Sequence, residues 1–250
     1  MQGASTAAID PAVLSALRWW RDAGADTLVE EAPRAWLRAS SADAAARPKG
    51  EQAPVRPAPA QGEKTKVELP ETLPALLDWL RDGSDVPEAA WGRTRILASG
   101  DPAAALMILV DIPEPDDVEA GALISGAPGT VFDNMLKAIG HSRASVWLAP
   151  LATARPIGGR VATDALKRLA DIARHHVRLV APKWLLVMGD RPAQALLGSR
   201  VGEVRGRAHT LDFDGVKVEA HATFHPKLLE SQPAYKKQAW ADLQLLMKAF

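Results

Sequence analysis

Val216-Lys217-Val218-Glu219-Ala220-His221-Ala222-Thr223 runs straight into Phe224-His225-Pro226-Lys227-Leu228-Leu229 near the end of the chain. The first eight residues read as a strand, and the six that follow read as the start of an apolar helix with a histidine locked against a proline. In open α/β sheets ligands bind outside the carboxyl ends of strands, so His225 stands where a functional residue is expected. Upstream, Leu106–Val110 is a short continuous apolar run, as expected for a strand buried on both faces. Ser145–Leu151 and Trp184–Met188 read as two further strands. Val131–Ile139, Thr163–Val180, Pro192–Leu197 with its stop at Gly198, and Ala234–Met247 read as helices. From about Trp91 to Phe250 the two kinds of element alternate. That alternation predicts an α/β fold of three layers, helices on both faces of a central, mostly parallel four-stranded sheet.

The 250 residues are expected to divide into three parts. Residues 1–38 form an N-terminal helical segment: Asp10-Pro11 starts a helix, Val13, Leu14, Leu17 and Trp20 recur at helical spacing, and Gly24 stops it. Residues 39–68 are Ala, Pro, Ser, Gln and charge with almost nothing to bury, so a disordered linker is expected. Residues 69–250 are the α/β domain, opened by a helix that Thr72 caps, Leu73, Leu76, Leu77 and Leu80 line, and Gly83 ends. Trp19, Trp20 and Trp36 read either as a docking element for another protein or as residues that pack back onto the core.

Thirty basic and thirty acidic residues cancel, so no global field draws this chain to nucleic acid, and any such contact must come from a local patch. The chain has no cysteine, which removes disulfides, thiolate nucleophiles, and cysteine-held zinc or iron–sulfur clusters together. No apolar run reaches the length of a membrane span and no secretory signal is visible, so a cytoplasmic protein without a membrane partner is expected. No histidine pair has metal spacing, and neither a metal nor another cofactor is expected.

Several segments in order resemble the uracil-DNA glycosylase superfamily, most closely the bacterial branch that normally carries an iron–sulfur cluster. Asp111-Ile112-Pro113-Glu114-Pro115-Asp116-Asp117 follows the strand Leu106–Val110 where the family shows Gly-Glu-x-Pro-Gly and acidic residues. Gly121, Gly126 and Gly129 stand for the glycine scaffold that leads into a helix, here Phe132-Asp133-Asn134-Met135-Leu136. Trp147-Leu148-Ala149-Pro150, with Arg155-Pro156 further on, matches an aromatic-Ile-Thr-Asn strand running into Arg-Pro. Ala181 to Gly189 looks like the penultimate core strand, Arg205-Gly206 precedes the closing one, and His225-Pro226 ends it. The resemblance implies the family's fold, DNA as partner, and removal of a flipped-out base.

It also implies roles, and here the chain departs from the pattern. The family assigns water activation to the Glu, stacking to a Phe, edge reading to the Asn and leaving-group stabilisation to the histidine. The matching residues are Ile112, Ile124, Pro150 and His225. Isoleucine accepts no proton, and Pro150 has neither an amide side chain nor a backbone N–H. Asp111 and Glu114 flank the lost glutamate, and a one-residue slip puts either carboxylate in the water-activating role. Asp116 and Asp117 are further candidates for that role or solvated loop charges, and a turn rich in Pro and Asp with no catalytic duty explains the same residues. Ile124, Pro150, Gly126 and Gly129 are the candidate base-binding positions. Arg155, Arg160, Arg205, Arg207 and Lys227 are the candidate DNA contacts, expected at one rim of the sheet. His175-His176 read as surface, His209 as a loop residue, and His221 as facing a helix layer or solvent. In the family the cluster pins the segment before the first strand; here Trp91 and the helix Leu73–Leu80 are expected to fill that volume with apolar packing. Three functions stay open: a divergent glycosylase in DNA repair, a silent member that binds DNA, and an interaction subunit of a repair or replication assembly tethered by the N-terminal tryptophans.

Overall fold

The computed structural model describes residues 69–92 and 94–250. The expected helix around Val13–Trp20, the tryptophans beside it and the linker over 39–68 lie outside the described residues. The elements, in chain order, are α1 (Leu73–Asp82), β1 (Ser99–Gly100), β2 (Leu106–Val110), α2 (Pro115–Ala120), α3 (Gly126–Ala138), β3 (Trp147–Pro150), α4 (Thr163–Val180), β4 (Trp184–Met188), α5 (Asp190–Leu197), α6 (Val201–Val204), β5 (Ala208–Phe213), β6 (Val216–Thr223), α7 (Pro226–Ser231) and α8 (Lys236–Met247).

Six strands pair in the order β1-β3-β2-β4-β6-β5. The central four, β3-β2-β4-β6, are parallel. They are the four strands read from the sequence, so every carboxyl end points to one rim. Every residue of β2 and β3 is buried, which is why their sequences are continuously apolar rather than alternating. Successive side chains go to opposite faces. Met107, Leu109, Leu185, Val187, Ala220 and Ala222 face one layer, where Leu169, Ala173 and Val177 of α4 cover them. Leu106, Ile108, Val110, Leu186 and Met188 face the other, against Phe132 and Leu136 of α3 and Leu243 and Leu246 of α8. The three-layer expectation holds, on a wider sheet.

The two edge strands, β1 and β5, run antiparallel and were not expected. β5 was hidden because it is largely exposed and carries little apolar signal. It joins β6 through Asp214-Gly215, both at positive φ (53° and 93°), the backbone that a tight two-residue hairpin requires. His209 therefore sits in a strand, not a loop, with its Nε2 2.7 Å from the Val204 carbonyl. His176 is a second correction: it is buried in α4, and the Trp147 indole N–H donates to its Nε2 at 3.0 Å. His221 is buried as well, with Nε2 3.0 Å from Glu219 Oε1. The acidic stretch after β2 is not a simple turn, because Pro115–Ala120 forms the helix α2.

α1 is capped by Thr72 and ends at Gly83 as read. Its Leu76 and Leu80 pack with Val86 onto Ile172 of α4, and Trp91 packs separately against the main core. Among the described residues no helix is long and apolar enough to cross a membrane.

Candidate active site

The carboxyl ends of β2, β4 and β6 bring three segments together. β6 ends at Thr223, and His225 caps α7, its Nδ1 accepting the Lys227 backbone N–H at 3.2 Å. Gly189, directly after β4, lies against it at φ 103°, where an added Cβ would touch His225 Cβ at 3.5 Å. After β2 come Asp111 and Glu114. Burial holds the His225 pKa below the ordinary histidine value, and the nearby carboxylates Asp111, Glu114 and Asp117 only partly oppose that. The ring is therefore neutral at pH 7. Because Nδ1 already accepts a hydrogen bond, its one proton sits on Nε2, which makes Nε2 a donor.

His225 lines two hollows. A recess of about 60 Å³ is lined by Glu114, Asp117, Ile124, Ser125, Pro128 and Lys227 together with the imidazole. A larger cleft of about 490 Å³ also has His225 in its wall, with Asp111, Gly189, Phe224 and Tyr235. The two carboxylates weighed for water activation thus part company. Glu114 shares the small recess with His225. Asp111 accepts from Arg191 Nη1 at 2.9 Å on both oxygens and from the Ile112 N–H at 2.8 Å. Those partners leave Asp111 as an anchor for its loop. Asp117 is an anchor too: buried, not solvated, it accepts the Glu114 N–H at 3.0 Å and the Ser125 N–H at 2.6 Å.

Glu114 does not stand alone in the recess. Lys227 Nζ lies 2.8 Å and Arg155 Nη1 3.1 Å from its Oε2. Ile124 lines the recess at a positive φ of 52°, unusual for a β-branched residue. Arg143, which the sequence reading missed, holds that loop. Its guanidinium donates to the Leu123 carbonyl at 2.6 Å and the Ile124 carbonyl at 2.7 Å, is tied to Asp133 at 2.7 Å and lies over the Phe132 ring. Gly129 is needed in the same place, since a Cβ there would come within 2.6 Å of the Ile124 carbonyl oxygen. Gly126, at φ 64°, opens α3 beside Asp116. Pro150 is buried at the end of β3 opposite Val110 and does not line the recess. Ile112 is buried in the core.

The candidate DNA contacts also divide. Arg160 and Arg207 are exposed. Lys227 and Arg155 meet Glu114, as above. Arg205 is the most committed: it donates to Asp242 through Nε at 3.0 Å and Nη2 at 2.9 Å and lies over Phe224. Asp242 is buried and also accepts from Thr223 Oγ1 at 3.0 Å. Arg191 is the other residue that sequence reasoning passed over. Its position just after the β4 carboxyl end was the signal available.

A neutral histidine and a carboxylate thus line one recess at the strand ends of a parallel four-stranded core. The family model for the uracil DNA glycosylase superfamily matches residues 97–244, more than half of the chain, and the chain belongs to that superfamily. Three curated proteins similar to it are type-4 uracil-DNA glycosylases. The type-4 uracil-DNA glycosylase of Pyrobaculum aerophilum is 22% identical over 180 residues, covering 69% of this chain and 92% of that protein. Those of Archaeoglobus fulgidus and Saccharolobus solfataricus are each 22% identical, over 152 and 166 residues, and each is covered over 76% of its length.

The iron–sulfur cluster that this branch implies does not fit the present chain. Cluster irons are held by thiolates, and none of the 250 residues is cysteine. Among the described residues no group of three or more His, Asp or Glu is placed to hold a metal ion. The segment before β2 is pinned by other means: α1 by apolar packing on α4, and Glu88, fully buried, by accepting the Thr153 N–H at 3.0 Å and its hydroxyl at 3.2 Å.

Proposed function

We propose that this domain acts in DNA repair by taking an extruded base at the His225 recess and hydrolysing its N-glycosidic bond. One observation carries the reading: Glu114 and His225, a carboxylate and a neutral imidazole whose Nδ1 accepts a backbone N–H, line the same recess at the carboxyl rim of the sheet. In the reaction a water oxygen bonds to C1′ as the C1′–N bond breaks. Glu114 takes the proton of that water, and the bonding pair leaves with the base. His225 Nε2–H donates to the exocyclic oxygen on which the departing negative charge gathers, a preorganised donor in a water-poor site. Arg160 and Arg207, with Lys227 once it turns from Glu114, meet phosphates, which reconciles local DNA contact with a neutral chain.

The base taken need not be uracil. Ile124 and Pro128 offer apolar contact where the family pattern stacks a phenylalanine, and Pro150 offers no amide to a pyrimidine edge. A second reading has its own support: Lys227 and Arg155 both pair with Glu114, and a recess of about 60 Å³ must open before a base enters. On that reading the domain binds DNA and does not cut.

The test is a panel of single- and double-stranded oligonucleotides carrying uracil, hypoxanthine or xanthine, incubated with the wild type and with Glu114→Gln, then treated with alkali. Strand breaks with the wild type that fall at least about a hundredfold with Glu114→Gln support hydrolysis. Salt-sensitive binding without breaks selects the second reading.

A further inference from the structure

The helices α3 and α8, which cover the same face of the sheet, leave an open apolar groove of about 240 Å³ between them. Val131, Met135 and Ala138 form one wall, Trp240 and Leu243 the other, and Lys236 lines it too. A single exposed apolar residue is ordinary, but these stand together. Among the described residues four large hydrophobic side chains are exposed. Three of them, Trp240 (41%), Met247 (41%) and Phe250 (47%), lie on this stretch. Trp240, Leu243 and Met247 recur at the spacing of one helix face, so the apolar strip continues from the groove along α8. Phe250 extends it, edge-on to His141 just past α3 at 5.5 Å and to Trp184 at 4.7 Å. From Lys236 to Phe250 the strip is roughly 20 Å long, about four turns of helix. A contiguous apolar surface of this kind marks an interaction site.

Its flanks are basic, in a chain whose charges cancel. Lys236, Lys237 and Lys248 on the α8 side and Lys137 on α3 are all exposed. None of the four pairs with a carboxylate among the described residues. The two helices contribute one acid each, and both are already engaged: Asp133 with Arg143 at 2.7 Å and Asp242 with Arg205 at 2.9 Å. Uncompensated positive charge beside an apolar trough is complementary to an apolar stripe flanked by carboxylates. Nucleic acid would meet the lysines but gain little from the aliphatic walls of Val131, Met135, Ala138 and Leu243.

We propose that this groove is a docking site for a partner protein, which lays an acidic amphipathic helix along α3 and α8 with its apolar anchors on Trp240, Leu243 and Met247. Such a helix carries those anchors at i, i+3 or i+4 and i+7. The position suits a partner held alongside another ligand. The strip ends where Phe250 meets Trp184, the first residue of β4, whereas the His225 recess lies at the opposite, carboxyl rim of the sheet. The inference does not depend on what that recess binds.

The test follows the anisotropy of a fluorescein-labelled helical peptide of about sixteen residues mixed with the full-length protein. The peptide has leucine or phenylalanine along one face and glutamate on its flanks; a twin with lysine for every glutamate is the control. The acidic peptide is expected to bind saturably, and more weakly as salt rises. The basic twin should bind at least about tenfold more weakly. Trp240→Ala should weaken the acidic peptide roughly tenfold, and Lys236→Glu combined with Lys237→Glu by about the same factor. The lysine pair changes only exposed side chains, so it tests the groove independently of any effect of Trp240→Ala on folding. No binding of the acidic peptide, equal affinity for the two peptides, or binding indifferent to the lysine changes overturns the proposal. So does displacement of the peptide by a single-stranded oligonucleotide, which makes the groove a nucleic-acid surface. Dimerisation of the wild type that Trp240→Ala abolishes in sedimentation also overturns it, and assigns the groove to a second copy of this chain.

Discussion

His176 makes the interior acid-sensitive in a way that can be calculated. Its ring is buried in α4, accepts the Trp147 indole N–H at 3.0 Å, and has its pKa lowered from 6.5 to about 4 by burial, with a smaller push from His175. The folded form therefore resists protonation that the unfolded chain accepts. The stability that neutral His176 contributes is complete above the unfolded pKa of 6.5 and drains away as pH falls toward 4. Linkage converts the shift into a loss of about 3 kcal/mol between pH 7.5 and pH 4. For a domain of this size that is a fall of roughly 6–12 °C in Tm from this one residue. His176→Gln keeps an acceptor for Trp147 and cannot take a proton. Thermal unfolding followed by circular dichroism across this range is expected to show the variant less stable at pH 7.5 but flatter with pH by about that amount. If the two proteins lose stability in parallel as pH falls, the buried neutral histidine is not the cause.

Asp242→Ala removes the carboxylate that Arg205 and Thr223 share, leaves a mostly buried guanidinium unpaired, and should cost roughly 3–5 kcal/mol in denaturant unfolding. Gly129→Ala raises helix propensity yet should destabilise by about 1–3 kcal/mol, because its Cβ meets the Ile124 carbonyl; a stabilised variant would refute the close approach. Arg160→Ala and Arg207→Ala should each lower the salt dependence of DNA binding by about one counterion, whereas Arg205→Lys should change stability and leave that dependence alone.

The elements legible in the sequence are those that carry a continuous apolar run or a regular apolar stripe. β2, α4, β4 and β6 have the bounds read from the chain, because a strand buried on both faces and a helix with a regular apolar stripe announce themselves without knowledge of their neighbours. β5 carries no such mark: it is half solvated and held by pairing with β6. His176 looked like surface because it sits in a double histidine, and only the crossing of β3 against α4, which brings Trp147 to it, buries it. The candidate site was half visible. His225 at a strand end was legible from its local pattern, and so was an acidic stretch after β2. That Glu114 and not Asp111 shares its recess was not, since Arg191, 80 residues further along, is what ties Asp111 away. Arg143 escaped notice for the same reason: its partners at Leu123 and Ile124 become neighbours only after α3 folds back.

His225→Asn isolates the role of His225 as the donor to a departing base. Asparagine is among the best helix N-caps, so α7 stays capped and Tm should hold to within a few degrees, but its short side chain cannot present a donor where Nε2 stands. The decisive measurement is the single-turnover rate of free base release from a lesion-bearing oligonucleotide, quantified by mass spectrometry, for the wild type and His225→Asn side by side. The expected result is release by the wild type and a loss of about a hundredfold or more in the variant. Equal rates in the two proteins, or no base released from any lesion by the wild type, would contradict it.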